Sequence, residues 1–182
     1  MLRLVCSLWC VLLVSAAAVA DRSNRRLDIY FIDVEGGAAT LLVTPEGESL
    51  LIDSGYPDNN GRDRDRIINV ARDVAGLRQI DHAAVSHWHR DHYGNHAALE
   101  ASFGIGTFWD RGIPDELQEN ASFEDRIADY RAASQNASKP LAAGDILPLK
   151  SGSTKLSCQV LTSGRNTIPN KGPANPHAGR HQ

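Results

Sequence analysis

Cysteine is scarce in this chain, and two of its three cysteines, Cys6 and Cys10, lie within the first ten residues. Those residues belong to an N-terminal segment that we expect to be removed, so that only Cys158 remains in the mature chain. An intrachain disulfide framework is therefore excluded. An exported domain without disulfides has to gain its stability from a hydrophobic core, from a bound metal, or from both.

The chain also lacks an excess of positive charge. Its 19 Lys and Arg residues are outnumbered by 22 Asp and Glu residues, which gives a net charge of −3. This mild acidity argues against a nucleic-acid surface without excluding one. With 182 residues, of which 42% are hydrophobic, the chain fits one domain at most.

The first twenty residues have the pattern of a secretory signal peptide. Arg3 supplies the positive charge, residues 4–14 form an apolar stretch, and Ala18-Val19-Ala20 forms a small-residue cleavage site before Asp21. The apolar stretch is too short to span a membrane comfortably, and no stop-transfer charges follow it. We therefore expect residues 1–20 to be cleaved off, leaving a secreted or periplasmic protein without a membrane anchor.

Hydrophobic periodicity predicts a mixed α/β domain over residues 27–162. Three apolar runs separated by turns predict an antiparallel meander over residues 27–53. The further expected elements are a helix over 62–75, a strand over 80–86, a short helix over 95–101, a strand over 105–109, a helix from Ser122 to about Ser134, and strands within 140–149 and 154–162. Gly and Pro without apolar residues to bury predict an irregular or disordered tail over 163–182.

These elements predict one mixed sheet with helices on one side. The other face of the sheet has no helix layer in this sequence, although a sheet this apolar should be covered on both faces. The sequence leaves three possibilities for what packs on this face: a partner protein, a second copy of the chain, or a missing C-terminal half.

The densest concentration of polar side chains is the stretch Ser86 to His92, with the sequence SHWHRDH, which follows the strand predicted over 80–86. Three imidazoles and a carboxylate within six positions are donors that zinc accepts. In an extended segment His87 and His89 share one face. A helix after them would bring Asp91 and His92 toward a second position, so the spacing suggests two metals rather than one.

The pattern His-x-His-x-Asp-His between a strand and a short helix resembles the metal-binding signature of the metallo-β-lactamase superfamily. Residues 31–37 (FIDVEGG) and 50–55 (LLIDSG) resemble the opening strands of that fold, most closely in its branch related to DNA-uptake (competence) proteins. One departure is Asn95, which stands where the family usually has a second Gly after Gly94. The resemblance covers about residues 27–162 and implies a metallo-β-lactamase-like αββα sandwich, of which this chain carries the N-terminal half.

The resemblance also implies a binuclear zinc hydrolase. His87 and His89 would bind the first metal, Asp91 and His92 the second, and a water shared by the two cations would be the nucleophile. Asp53 would lie behind the metals and hold the motif loop by hydrogen bonds. Asp91 and Asp53 are thus the predicted catalytic residues. The substrate would be a small molecule or a phosphodiester, cleaved at an ester, thioester, phosphodiester or lactam bond.

The family needs further ligands that this sequence does not supply in recognisable form: a third His for the first metal, a bridging Asp, and a final His for the second metal. His177 and His181 are the only histidines after His96. They lie in a Gly- and Pro-rich tail, and the entropy lost on ordering that tail opposes metal binding. His96 is a further candidate, but we expect its short helix to turn it toward solvent. Two hypotheses follow: an exported zinc-dependent hydrolase, or a truncated, non-catalytic half-domain that binds metal weakly or not at all.

Overall fold

The computed structural model describes residues 25–57, 60–117, 121–150, 152–153 and 155–169. The predicted signal peptide lies outside the described residues, as does the predicted tail from residue 170 onward, which includes His177 and His181. Within the described ranges, no helix combines the length and the apolar character needed to cross a membrane.

A six-stranded mixed sheet organises the described chain, with the strands in sequence order from one edge to the other. The first three strands form an antiparallel meander, and the last three are parallel to the third and to one another. The strands are β1 (Asp28–Phe31), β2 (Thr40–Val43), β3 (Ser49–Ile52), β4 (Ile80–Ala84), β5 (Ile105–Asp110) and β6 (Lys139–Pro140). The predicted meander and the mixed sheet are both confirmed.

Helices connect the parallel strands. Helix α1 (Arg62–Asn69) continues into a π-helical turn (Val70–Val74), so the helix predicted over 62–75 is present but widens in its last turn. Two short helices follow β4, namely α2 (Arg90–Tyr93) and α3 (His96–Ser102), and α4 (Phe123–Ala133) follows β5. The main core lies between these helices and one face of the sheet. Its fully buried side chains include Leu41, Leu51, Ile67, Ile80, Leu99 and Ile127.

The second face of the sheet carries a smaller core that the sequence did not predict. Leu50, Ala84 and Trp109 of the sheet pack there with Leu147, and half-buried residues between 141 and 160 surround them. The prediction that a partner, a second copy or a missing C-terminal half must cover the second face is therefore wrong in part, because the later segment of this chain packs there. Additional cover by a second copy or by further polypeptide stays a prediction.

The later segment forms only two-residue strands. β7 (Ile146–Leu147) pairs antiparallel with β8 (Cys158–Gln159), and β9 (Thr162–Ser163) pairs with β10 (Asn166–Thr167). The longer strands predicted over 140–149 and 154–162 are thus much reduced. One physical reason is Pro148, which follows β7 directly and has no backbone N–H to donate to the ladder.

Candidate metal centre

The motif loop, residues 86–92, lies at the carboxyl edge of the parallel part of the sheet. β3 and β4 are parallel neighbours, so Asp53 after β3 and the loop after β4 emerge at the same edge. Polar groups that form sites converge at such edges. The backbone N–H of Asp53 donates to Ala84 O at 2.9 Å, which ties the two strand ends together.

The three imidazoles of the loop lie next to one another. The ring centroid of His87 is 4.6 Å from that of His89 and 3.9 Å from that of His92. Partial burial and the neighbouring His92 and His89 lower the pKa of His87 below its ordinary value. Near neutral pH His87 is therefore uncharged, with one ring nitrogen carrying a free lone pair.

Asp53 lies behind the imidazoles and is only 3% exposed. Its carboxylate accepts hydrogen bonds from Ser86 N at 2.8 Å and Ser86 Oγ at 2.6 Å, and its Oδ2 lies 2.8 Å from His92 Nδ1. We infer that Nδ1 of His92 donates its proton to this carboxylate, which leaves the Nε2 lone pair free. The backbone φ of Asp53 is 60°, a left-handed conformation that non-glycine residues rarely adopt outside strained or functional sites.

Asp91 lies in the first turn of α2, with its Oδ2 atom 3.7 Å from His92 Nε2. The backbone of Asp91 rests against the turn formed by Gly36 and Gly37. A Cβ built on Gly37 would lie 1.9 Å from Asp91 O, a space that only glycine leaves open. Gly37 of the predicted opening motif therefore supports the loop from the side of β1 and β2.

Trp88 anchors the loop from the opposite side. Its ring is 4% exposed and packs in the main core against Tyr93, Phe123 and Tyr130, while its Nε1 donates to Gly112 O at 2.8 Å. With Trp88 directed inward, the imidazoles before and after it are left at the surface of the loop. The inward direction of Trp88 is the alternation expected from an extended segment.

The donor set fits zinc in kind, because imidazole nitrogen and carboxylate oxygen are its usual protein ligands and His92 has an orienting carboxylate. The fold brings His87, His89, Asp91 and His92 together at one edge. Among the described residues, however, no three His, Cys, Asp or Glu side chains converge as a ready-made metal site. The loop thus supplies donors without forming, in the described part, the three-ligand arrangement usual for catalytic zinc.

His96 is fully buried, so the expectation that α3 turns it toward solvent is wrong. Its Nδ1 lies 2.8 Å from Ser54 Oγ and 3.2 Å from Tyr93 O, while its Nε2 has no hydrogen-bond partner. The signal in the sequence was Leu99 three positions later, which lies on the same helix face and is also fully buried. His96 belongs to the interior beneath the loop rather than to the metal ligands.

Burial of His96 predicts a loss of stability in acid. Burial lowers the pKa of His96 from 6.5 to about 4. Below about pH 6.5 the unfolded chain binds a proton that the folded chain accepts only near pH 4, so the free energy of unfolding falls through this window, by about 3 kcal/mol from this group. Urea unfolding of the metal-free chain at pH 7 and pH 4.5 measures the loss. The His96→Asn variant should lose less, and equal losses in both chains would contradict the assignment.

A cleft of about 1180 Å³ opens beside the motif loop. His87 and His89 are among its lining residues, and Leu50, Ile52 and Leu147 contribute an apolar wall from the second face of the sheet. A volume of this order exceeds that of most small-molecule pockets. The imidazoles are therefore within reach of a ligand that occupies the cleft.

The mixed sheet with helices places the chain among α/β proteins, and comparison with known proteins gives the family. The family model of the metallo-beta-lactamase superfamily matches residues 32–173, more than half of the chain. The chain belongs to the metallo-beta-lactamase superfamily. The resemblance of the motif to this superfamily is thereby confirmed, while membership of the competence-related branch stays a prediction.

One similar solved structure is a metallo-beta-lactamase from Cronobacter sakazakii, a variant in its HARLDQ motif. It is 29% identical to this chain, with a TM-score of 0.36, and the alignment covers 44% of this chain and 30% of the other. The chain thus spans about a third of the length of that relative. No curated protein matches the chain.

Proposed function

We propose that this chain carries the metal-binding loop of a zinc-dependent hydrolase, with His87 and His89 as ligands of one metal and Asp91 and His92 as ligands of another. The observation that carries the proposal is the 2.8 Å contact between His92 Nδ1 and Asp53 Oδ2. A carboxylate behind a histidine is the usual way to orient a metal ligand. Membership of the superfamily supports the reaction class.

The residues of the loop have separate tasks in this proposal. Zinc, when bound, would activate a water and polarise the bond to be cleaved. Asp53 holds the His92 proton on Nδ1, and Ser86 donates two hydrogen bonds that keep the Asp53 carboxylate in place. His87 stays neutral because burial and its histidine neighbours lower its pKa. His87 thus keeps a lone pair available at neutral pH, and the contact with Asp53 leaves Nε2 as the nitrogen of His92 that would bind the metal.

The proposed substrate is a small molecule with an ester, thioester, phosphodiester or lactam bond. The cleft supports this, because it places the imidazoles of His87 and His89 beside an apolar wall in a concave space. The net negative charge of the chain disfavours a long nucleic acid. An apolar group on the substrate would pack against this wall beside Ile52.

The second candidate is a non-catalytic half-domain that binds metal weakly or not at all. The observation in its favour is that no three metal-binding side chains converge in the described part of the chain. A complete metal site would then form only if a second copy or further polypeptide supplied the remaining ligands. The partial cover on the second face of the sheet is compatible with either source.

Hydrolysis assays separate the two candidates. The mature chain, loaded with zinc, is assayed against model esters, thioesters, phosphodiesters and lactams. The hydrolase predicts turnover that a chelator abolishes and that falls by at least about 100-fold in His89→Ala, because a metal ligand is lost. Arg72→Ala, an exposed change on the π-helical turn, serves as the matched control and should leave turnover intact. Zinc binding without turnover on any substrate would favour the half-domain.

Export is the remaining part of the proposal. It is supported by the charged, apolar and small-residue pattern of residues 1–20. N-terminal sequencing of the product recovered from a bacterial periplasm or culture medium should begin at Asp21. Recovery only inside the cell, with the N-terminus still at Met1, would contradict export.

A further inference from the structure

Asn95 donates three hydrogen bonds behind the motif loop. It is 1% exposed, and its Nδ2 donates to Ser54 O at 2.8 Å and to Tyr56 O at 2.9 Å. Its backbone N–H donates to Ser54 Oγ at 3.0 Å. Both amide hydrogens and the backbone donor thus bind one segment, residues 54–56, that follows β3.

Ser54 passes this connection on to His92. The backbone N–H of Ser54 donates to His92 O at 2.6 Å, and Ser54 Oγ donates to the same carbonyl at 3.1 Å. Since a hydroxyl has a single proton, the 2.8 Å contact of Ser54 Oγ with His96 Nδ1 requires the imidazole to be the donor there. Ser54, Asn95 and His96 therefore form one buried network, which we call the Ser54 network.

The Ser54 network and Asp53 together fix both the backbone and the side-chain ring of His92. Ser54 fixes the carbonyl of His92, and Asp53, the preceding residue, fixes the Nδ1 atom of its ring. The orientation of the imidazole therefore depends on where residues 53 and 54 lie relative to α2. Asn95 is the side chain that joins this segment to the start of α3.

We propose that Asn95 is a positioning residue that fixes the His92 imidazole against Asp53 and thereby sets the metal affinity of the loop. The part about affinity rests on the proposed function, whereas the orientation of the ring is a property of the metal-free chain. Asn95 is well suited to this task, because its planar amide carries two N–H donors, one for each of the two carbonyl oxygens of residues 54 and 56. A carboxylate in place of the amide would face both carbonyls with acceptors alone, and a glycine at this position would supply neither donor.

Two variants and two controls test the proposal. Asn95→Ala removes both side-chain donors, and Ser54→Ala is a milder change that leaves the Ser54 carbonyl in place. Asn69→Ala, on the exposed face of α1, controls for loss of an amide. Ile67→Ala, in the buried core, controls for loss of stability without a change near the loop.

The first readout uses the metal-free mature chain at pH 8. The ¹⁵N shifts of the His92 ring report which nitrogen carries the proton. We expect the Nδ1–H form in the wild type and in both controls, and a mixture of the two tautomers in Asn95→Ala and Ser54→Ala. An unchanged Nδ1–H form in both variants would overturn the inference. Ile67→Ala shows whether a loss of stability by itself changes the His92 tautomer, so the two effects are distinguished.

The second readout is Co²⁺ binding, measured by competition with a chromophoric chelator and by the visible spectrum of the bound ion. Loss of an orienting group typically weakens metal affinity by about 10- to 100-fold. We expect a loss of this size in Asn95→Ala, with an altered spectrum, and neither effect in Asn69→Ala or Ile67→Ala. Equal affinity and an identical spectrum would overturn the role of Asn95 in metal binding. A wild type that binds no Co²⁺ would instead contradict the proposed function, while the ring shifts still decide the orientation.

Discussion

Replacing Asp53 with alanine is expected to lower the zinc affinity of the mature chain by about 10- to 100-fold. Asp53 accepts two hydrogen bonds from Ser86 and contacts His92 Nδ1 at 2.8 Å. Without this carboxylate the His92 ring is free to rotate and to move its proton to Nε2, which blocks the lone pair that would bind the metal. Competition titration against a zinc chelator measures the change.

Asp53→Asn sharpens the same test. An asparagine of nearly equal size presents one acceptor and one donor, so the orientation that satisfies Ser86 places an N–H against His92 Nδ1. The ring must then protonate Nε2, and we expect a loss of zinc affinity as large as that of Asp53→Ala. Asp73→Ala, an exposed carboxylate on the π-helical turn, is the control. Unchanged affinity in both Asp53 variants would contradict the orienting role.

Gly37→Ala is expected to lower the free energy of unfolding by about 2–5 kcal/mol and to weaken zinc binding as well. Gly37 has a φ of +78°, and a Cβ there would lie 1.9 Å from Asp91 O and 2.8 Å from Asp91 Cβ. The left-handed conformation is costly for alanine, and the overlap is relieved only if the backbone of Asp91 moves. Urea unfolding and a zinc titration of the same sample measure both effects.

The neighbouring glycine provides a matched control for that prediction. A Cβ on Gly36 would meet no atom within 4 Å, so Gly36→Ala is expected to change the free energy of unfolding by no more than about 0.5 kcal/mol. Similar effects of the two substitutions would show that the turn as a whole, and not its contact with Asp91, is responsible.

Much of the sheet was predictable because local pattern determines it. The alternation of apolar runs and turns over residues 27–53 gave the meander, and the apolar run before Ser86 gave the strand that ends at the motif loop. The second face was not predictable in the same way. Its cover comes from irregular chain and two-residue strands, which are too short to leave a periodic signal. It depends on packing between Leu147 and residues up to about 100 positions earlier.

The candidate site shows the same division between local and distant information. The four candidate ligands lie within six consecutive positions, so their spacing in the sequence was enough to identify them: His87, His89, Asp91 and His92. Asn95 looked only like a departure from the family pattern, because its partners Ser54 and Tyr56 lie about 40 residues away and a sequence does not show which carbonyls an amide will meet.

Zinc titration of the metal-free mature chain, compared with His89→Ala, tests the central claim most directly. If the motif loop is a metal centre, the wild type binds zinc, and His89→Ala binds it at least about 10-fold more weakly because an imidazole ligand is lost. Arg72→Ala should bind zinc as the wild type does. A wild-type chain that takes up no zinc, or one whose zinc binding is unchanged by His89→Ala, would contradict a metal centre at this loop.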